Sequence, residues 1–180
     1  MTTTMVELES QEAAPPETMR VASPAHVALR AAACGAALAA ALVVVTNRQD
    51  RWGVRATFTM FDVWEVFVGV SFACAAYAMA TAILVNKLIS KPWLHHADQL
   101  AVNLQTAATA GAGAIGSVAL WGNEPSGWFA VCRLYRIYCD KGAVSLALSF
   151  LAFTALAAAS TLSRYPTPPP PPPPSPSPST

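Results

Sequence analysis

Residues 100–121 form an uncharged run of 22 residues with the sequence LAVNLQTAATAGAGAIGSVALW. A helix that crosses the hydrocarbon core of a bilayer needs about 20 mostly apolar residues, so this run is long enough. It does not alternate as a membrane strand would. Three further runs of 20 to 22 residues lie at 27–46, 66–85 and 142–163. The four runs predict four transmembrane helices, and the alternative is a set of buried helices in a soluble all-α core, where such runs rarely coexist.

The composition favours the membrane interpretation. The chain has 180 residues, of which 54% are hydrophobic and 12% are charged, whereas a soluble domain carries about 25% charged residues. The net charge of +1 gives no basic footprint for nucleic acid, and four cysteines are too few for a disulfide-stapled mini-protein. The tryptophans lie at or beyond the ends of the runs, where their rings suit the headgroup zone: Trp52, Trp64, Trp93, Trp121 and Trp128.

The fold class that follows is an all-α membrane protein, a four-transmembrane-helix bundle with disordered N- and C-terminal tails. The membrane domain is predicted over residues 25–165. The N-terminal tail, 1–24, is polar and acidic, and the C-terminal tail, 166–180, contains seven consecutive prolines. The proline run predicts an extended polyproline II segment, either a spacer or a docking site for a proline-reading domain.

The loops decide which side of the membrane each end occupies. Four spans put both termini on one side, with five basic residues there and six on the other, so the positive-inside rule is undecided. Cys132 and Cys139 share the second loop of the other side. A disulfide between them requires an oxidising compartment, which would place both termini in the cytosol. The alternative is two unpaired thiols.

Two charges lie at the edge of the predicted bilayer. Arg30 is about one turn inside the first run, and Asp98 begins the third run at a similar depth, because these two spans point in the same direction. Asp98 suits a helix N-terminus, whereas Arg30 opposes one. We hypothesise that Arg30 and Asp98 pair across the helices and fix the bundle. The alternative is that each is solvated independently, with Arg30 snorkelling to the headgroups.

The third run also carries a candidate assembly face, polar at its start and small further along. Small residues let helices approach closely, and buried Gln or Thr can bond across helices. The first run has a similar small-residue spacing at Ala31, Gly35 and Ala39. These spacings predict helix association within the chain or between copies, although an alanine-rich chain also produces them by chance. The residues of the third-run face are Asp98, Val102, Gln105, Thr109, Ala112 and Gly116.

Two sequence motifs look like ligand sites, but neither has the structural context that such a site needs. Residues 111–116, GAGAIG, match a dinucleotide fingerprint, but they lie inside an apolar run rather than at a strand-to-helix turn. His95 and His96 point apart on a helix and lack further ligands. We therefore predict no enzyme, no catalytic residues, no metal and no cofactor.

The sequence resembles the plant Casparian strip membrane domain protein-like (CASP-like) family, relatives of the four-span MARVEL proteins. The resemblance covers about residues 25–165 and is most specific in the last third. The first outer loop, 47–64, lacks the signature of the founding members. The segments that carry the resemblance are LR at 29–30, ADQL at 97–100, small residues at 107–116, GWFAVC at 127–132, Tyr135, YC at 138–139 and ALSFL at 147–151.

The resemblance implies a multi-pass protein of the plasma membrane with cytosolic termini, an Arg in the first span and an Asp in the third. Founding members self-associate into scaffolds that recruit secreted oxidative enzymes to the cell wall. The expected partners are thus the lipid bilayer, other copies of this chain as a homodimer or larger oligomer, related family members and such enzymes, with no nucleic acid. The alternative function is a small transporter or channel subunit.

Overall fold

The computed structural model describes residues 24–51, 53–88, 91 and 93–164. Within them, the chain folds into a bundle of four long helices with a small hairpin at one end. Their bounds are α1 Pro24–Thr46, α2 Asp62–Ile83, α4 Trp93–Trp121 and α5 Arg136–Arg164, and a short helix, α3, covers Val85–Leu88. The predicted tails, 1–24 and 166–180, lie outside the described residues except for Pro24, which begins α1.

The helix ends follow from local chemistry. Proline suits the first turn of a helix because its missing N–H has no partner there, and α1 begins at Pro24. Asp62 and Glu65 lie in the first turn of α2, where negative charge is favourable. Helix α4 ends before Gly122, whose φ of 78° lies in the left-handed region that glycine adopts readily.

Three of the long helices are long and apolar enough to cross a membrane. These are α1, α2 and the Arg136–Leu162 part of α5. Helix α4 is equally long, but polar residues such as Asn103 and Gln105 make it less apolar. Its crossing therefore stays a prediction.

The bundle is a ring in which each long helix packs mainly on two neighbours. Helix α1 lies between α2 and α5, and α4 lies between the same two helices on the opposite side. Helices α1 and α4 are thus diagonal to each other, and so are α2 and α5. Any direct bond between diagonal helices must pass through the interior.

The core consists largely of small side chains. Alanines of α1, including Ala33 and Ala37, pack against Ala152 and Leu156 of α5 near the end that holds the chain termini. Toward the other end the core becomes larger and aromatic, with Trp64 and Phe67 of α2. Small residues allow the helices to pack closely.

The loops at the end opposite the chain termini are tied together. After α1, strand β1 (Gln49–Arg51) pairs antiparallel with β2 (Val54–Ala56). The side chain of Asn47 donates to the carbonyl of Tyr138 at 2.8 Å, and the amide of Tyr138 donates to Gln49 Oε1 at 2.9 Å. The hairpin is thereby fixed to the first turn of α5.

Candidate functional site

The first buried polar layer of the bundle is built around Arg30 and Asp98, both fully buried. Arg30 Nη2 donates to Asp98 Oδ2 at 2.5 Å, so the hypothesised pair of charges is in direct contact. Because α1 and α4 are diagonal neighbours, this bond crosses the interior. The structure thus places the two residues together, while their role in assembly stays a prediction.

Helix α2 completes this layer with two residues. Arg30 Nη1 donates to Thr81 Oγ1 at 2.6 Å, and the hydroxyl of Tyr77 donates to Asp98 Oδ1 at 2.6 Å. Both oxygens of the carboxylate and both terminal nitrogens of the guanidinium therefore have partners. Buried charges are tolerated when they are paired and hydrogen-bonded in this way. Two charges thus bind three of the four long helices together.

A second polar layer lies two turns further along α4, about 10 Å from the first at the helical rise. Gln105 Nε2 donates to Ser71 Oγ of α2 at 3.0 Å and to Ser149 Oγ of α5 at 2.6 Å. Thr109 contacts the same serine hydroxyl at 2.6 Å. This layer joins the other diagonal pair, α2 and α5, through α4.

The predicted face of α4 therefore turns inward. Asp98, Gln105 and Ala112 are fully buried, and Val102, Thr109 and Gly116 are half-buried. By contrast, Ala31 and Gly35 of the first small-residue run are exposed, and Ala39 is half-buried. The face on α4 therefore packs inside the bundle. Most of the small-residue run on α1 lies on the outer surface of the bundle instead.

Sequence reasoning missed the partners of these layers. Tyr77, Thr81, Ser71 and Ser149 were not singled out, although each is a polar residue inside an apolar run. Their spacing carries a usable signal, since Tyr77 and Thr81 are four residues apart and lie on one side of α2. Which helix they meet is set by packing and cannot be derived from spacing.

A disulfide joins Cys132 and Cys139, with their Cα atoms 5.7 Å apart. Cys139 belongs to the first turn of α5, and Cys132 lies in a single 3-10 turn, Val131–Arg133. The bond therefore fixes the second loop to the bundle. Cys34 and Cys74 are free and buried, where cysteine packs as a small apolar side chain.

The two histidines at the start of α4 contact a serine of α5 and each other. His95 Nδ1 lies 3.0 Å from Ser160 Oγ of α5, and the His96 ring is tilted against the His95 ring. Within the described ranges there is no group of three or more His, Cys, Asp or Glu residues that could hold a metal ion.

Comparison with known proteins decides the family. The family described as Casparian strip membrane protein domain matches residues 19–155, which is most of the chain. The chain belongs to this family. The match includes both polar layers and the disulfide, so these are features of a Casparian strip domain in this chain.

The chain is also similar to proteins that are named CASP-like. The chain is similar to CASP-like protein UU-1 of Sorghum bicolor, with 72% identity over 69% of this chain and 68% of the relative. It is similar to CASP-like protein UU1 of Oryza sativa subsp. indica, with 57% identity over 90% of this chain and 96% of the relative. CASP-like protein 1D2 of Arabidopsis thaliana is 30% identical over 71% of this chain and 73% of the relative. No solved structure matches the chain.

Proposed function

We propose that this Casparian strip domain protein is a multi-pass plasma-membrane scaffold that self-associates laterally and recruits cell-wall-modifying proteins. The observation that carries the proposal is the polar interior, in which the charges are paired and polar side chains bond across helices. Within the described residues, the buried charges of Arg30 and Asp98 neutralise each other at one end of the bundle. The polar groups bond across helices, which suits a rigid structural unit.

The same observation disfavours the alternative of a small transporter or channel subunit. Proton and ion pathways in membranes use chains of ionisable side chains that face a water-filled cavity. In the part of the chain that the structure describes, the second layer consists of the neutral residues Gln105, Thr109, Ser71 and Ser149. No relay of charges leads from the first layer through it.

The proposed topology has α4 as a fourth crossing and both termini in the cytosol. Two bonds support it, because Arg30 aligns the start of α4 with the start of α1, and the disulfide suits an oxidising compartment at the other end. Two of the polar residues of α4, Asp98 and Gln105, are buried in the bundle, so the lipid does not meet them.

Self-association is proposed to use the outward face of α1. Gly35 is exposed, and a Cβ atom added there would meet nothing within 4 Å. Together with exposed Ala31 it leaves a shallow surface on which a second helix can approach closely. Such contacts between copies would build a lateral assembly.

The test uses a fluorescent fusion in plant epidermal and root cells. Slow recovery after photobleaching and chemical crosslinks between copies are expected for the native chain, with both reduced in Gly35→Leu. Gly69→Leu is the matched control, because Gly69 is also an exposed helical glycine with nothing within 4 Å. Fast, uniform recovery of the native chain would contradict the scaffold, and substrate flux lost in Gln105→Leu would favour the transporter.

Recruitment has a separate readout. A proximity-labelling enzyme inserted near exposed Ser126, on the loop between α4 and α5, is expected to label secreted oxidative enzymes of the cell wall. The control carries the same enzyme at the C-terminus. Equal labelling of these enzymes by both fusions would contradict recruitment through the outer loops.

A further inference from the structure

A cavity of about 220 Å³ lies at the end of the bundle opposite the chain termini. Its walls come from the start of α2, the last turns of α4, the loop between α4 and α5, and the first turn of α5. The loop covers the cavity because it is folded back on itself: Asn123 and Trp128 exchange two backbone hydrogen bonds, at 2.9 and 3.1 Å. Gly122 is required beneath this turn, since a Cβ atom there would lie 3.0 Å from the Trp128 carbonyl oxygen.

The chemistry of the lining is that of a neutral amphipathic ligand. Phe61, Trp64 and Trp128 supply aromatic surface, while Asn123 and Ser126 supply side-chain hydrogen-bonding groups. None of the lining residues carries a charge, so the phosphate of a phospholipid would find no cation there. A hydroxyl group needs one donor and one acceptor, which an amide and a hydroxyl can provide.

The position of the cavity indicates where its ligand comes from. Trp121 and Phe129, beside the cavity, are 80% and 87% exposed. Large exposed aromatic side chains at the end of a membrane helix suit the headgroup zone of the bilayer. The cavity is also smaller than the roughly 300–1,000 Å³ typical of sites that enclose a whole small molecule. It would therefore hold one end of a lipid whose remainder stays in the leaflet.

We propose that this cavity binds the hydroxyl-bearing ring end of a sterol from the leaflet opposite the chain termini. The inference uses the membrane topology proposed above but does not depend on scaffold function. Flat aliphatic rings fit against Trp64 and against the small surface of Gly116 and Ala119. A rigid ring system also loses less conformational entropy on binding than a flexible acyl chain does.

Gly116 gives the sharpest test because it lines two cavities at once. The second cavity, about 300 Å³, lies between α4 and α5 and shares Gly116 and Cys139 with the first. A Cβ atom at Gly116 would meet only Leu146 Cδ1, at 4.0 Å, so a larger side chain can start there and extend into open space. Because Leu146 lines the second cavity, the side chain of Gly116→Leu starts between the two cavities and should narrow the sterol site. Gly69→Leu is the lipid-facing control.

The experiment is photocrosslinking of the purified full chain in phospholipid vesicles that contain a photoactivatable sterol with a free ring hydroxyl. We expect Gly116→Leu to lower labelling at least about five-fold and Gly69→Leu to leave it unchanged. Labelled peptides should contain Phe61 or residues 115–119. Intact disulfide and an unchanged melting temperature show that each variant is folded. Equal labelling of both variants overturns the proposal.

A second variant examines the hydroxyl. The Asn123 side chain takes no part in the backbone bonds of the loop, so Asn123→Ala should keep the loop and weaken sterol labelling about five-fold, as expected for the loss of one hydrogen bond. The methyl ether of the sterol probe should label less strongly than the free sterol. A phospholipid photoprobe that labels the cavity as strongly as the sterol would contradict the proposal, as would an ether that labels equally well.

Discussion

At the scale of single residues, the Arg30–Asp98 pair dominates the energetics. Moving an ion from water to a dry interior costs several kcal/mol, and only good geometry with further hydrogen bonds offsets this. Thr81 and Tyr77 supply those bonds, one to each charge. Arg30 Nε is buried without a hydrogen-bond partner, so the bonding of the pair is not complete. The two charges still need each other, because a lone buried charge is far less favourable than either the pair or no charge.

The first prediction concerns this pair. Arg30→Ala or Asp98→Ala alone should lower the free energy of unfolding by about 3–5 kcal/mol, because each leaves the other charge buried. The double variant should cost much less than the sum. Reversible unfolding in detergent micelles measures all four states of the cycle. Strict additivity would mean that the pair does not couple.

An exposed pair offers the control. Arg55 Nε and Asp50 Oδ1 are 2.9 Å apart, but the side chains are 66% and 63% exposed. Solvent screens such a pair, so Asp50→Ala should cost little. A loss as large as that from Asp98→Ala would show that burial is not the cause.

The second prediction concerns Gln105. Gln105→Leu leaves Ser71 and Ser149 without this partner in the interior and should cost about 1–3 kcal/mol of stability. Asn103→Leu is the matched control on the same helix, because Asn103 is exposed and its side chain accepts a hydrogen bond from the neighbouring Gln99 at 3.3 Å. Thermal unfolding compares the two, and equal losses would argue against a specific role for the second layer.

At the scale of elements, α4 is the helix that organises the others. It provides residues to both polar layers, packs against α2 and α5, and is joined to α1 by the Arg30–Asp98 bond. Its last turns also lead into the folded-back loop, where glycines at 122 and 127 have φ of 78° and 69°. The two glycines have the same backbone strain but different surroundings.

The third prediction uses that difference. Gly122→Ala should destabilise the loop more than Gly127→Ala, because a Cβ atom at Gly122 collides with the Trp128 carbonyl whereas one at Gly127 meets nothing within 4 Å. Both carry the penalty of about 1 kcal/mol for a left-handed residue. Hydrogen exchange of the Trp128 amide, which donates to Asn123, reports loop opening. Similar exchange rates in the two variants would contradict the close approach.

At the scale of the whole molecule, the bundle has two different ends. The end with the chain termini contains the charged layer and small alanines, whereas the other end has the hairpin, the disulfide and the aromatic cavity. Cross-links between loops are concentrated at the second end. Because the disulfide cysteines lie at one end only, labelling them shows which side of the membrane that end occupies.

The fourth prediction is the pattern of thiol labelling. In intact cells, a membrane-impermeant reductant followed by an impermeant maleimide should label Cys139, which is half-buried, and no label should attach without reduction. Cys34 and Cys74 are buried and should react only after unfolding. Tags on both termini should be protected from outside. Labelling of Cys139 only after the cells are permeabilised would show that α4 does not cross as proposed.

Much of this architecture is visible in the sequence. The uncharged runs predict the long helices because a helix that meets lipid must be apolar over its length. Boundaries were less accurate: α4 begins at Trp93 rather than at residue 100, since its first turns extend beyond the apolar run. The positions of Arg30 and Asp98 at the edges of two runs were enough to suggest that they pair. Burying either charge without a partner is costly, so pairing is one of few favourable arrangements.

What the sequence by itself determined is which stretches are helical and that two charges needed partners. Only the tertiary structure decided that α1 and α4 are diagonal, that Tyr77 and Thr81 complete the charged layer, and that Gln105 meets Ser71 and Ser149. The physical reason is that helix formation and membrane insertion depend on local composition. The choice of neighbour depends on how small side chains from distant runs fit together, which no single run contains.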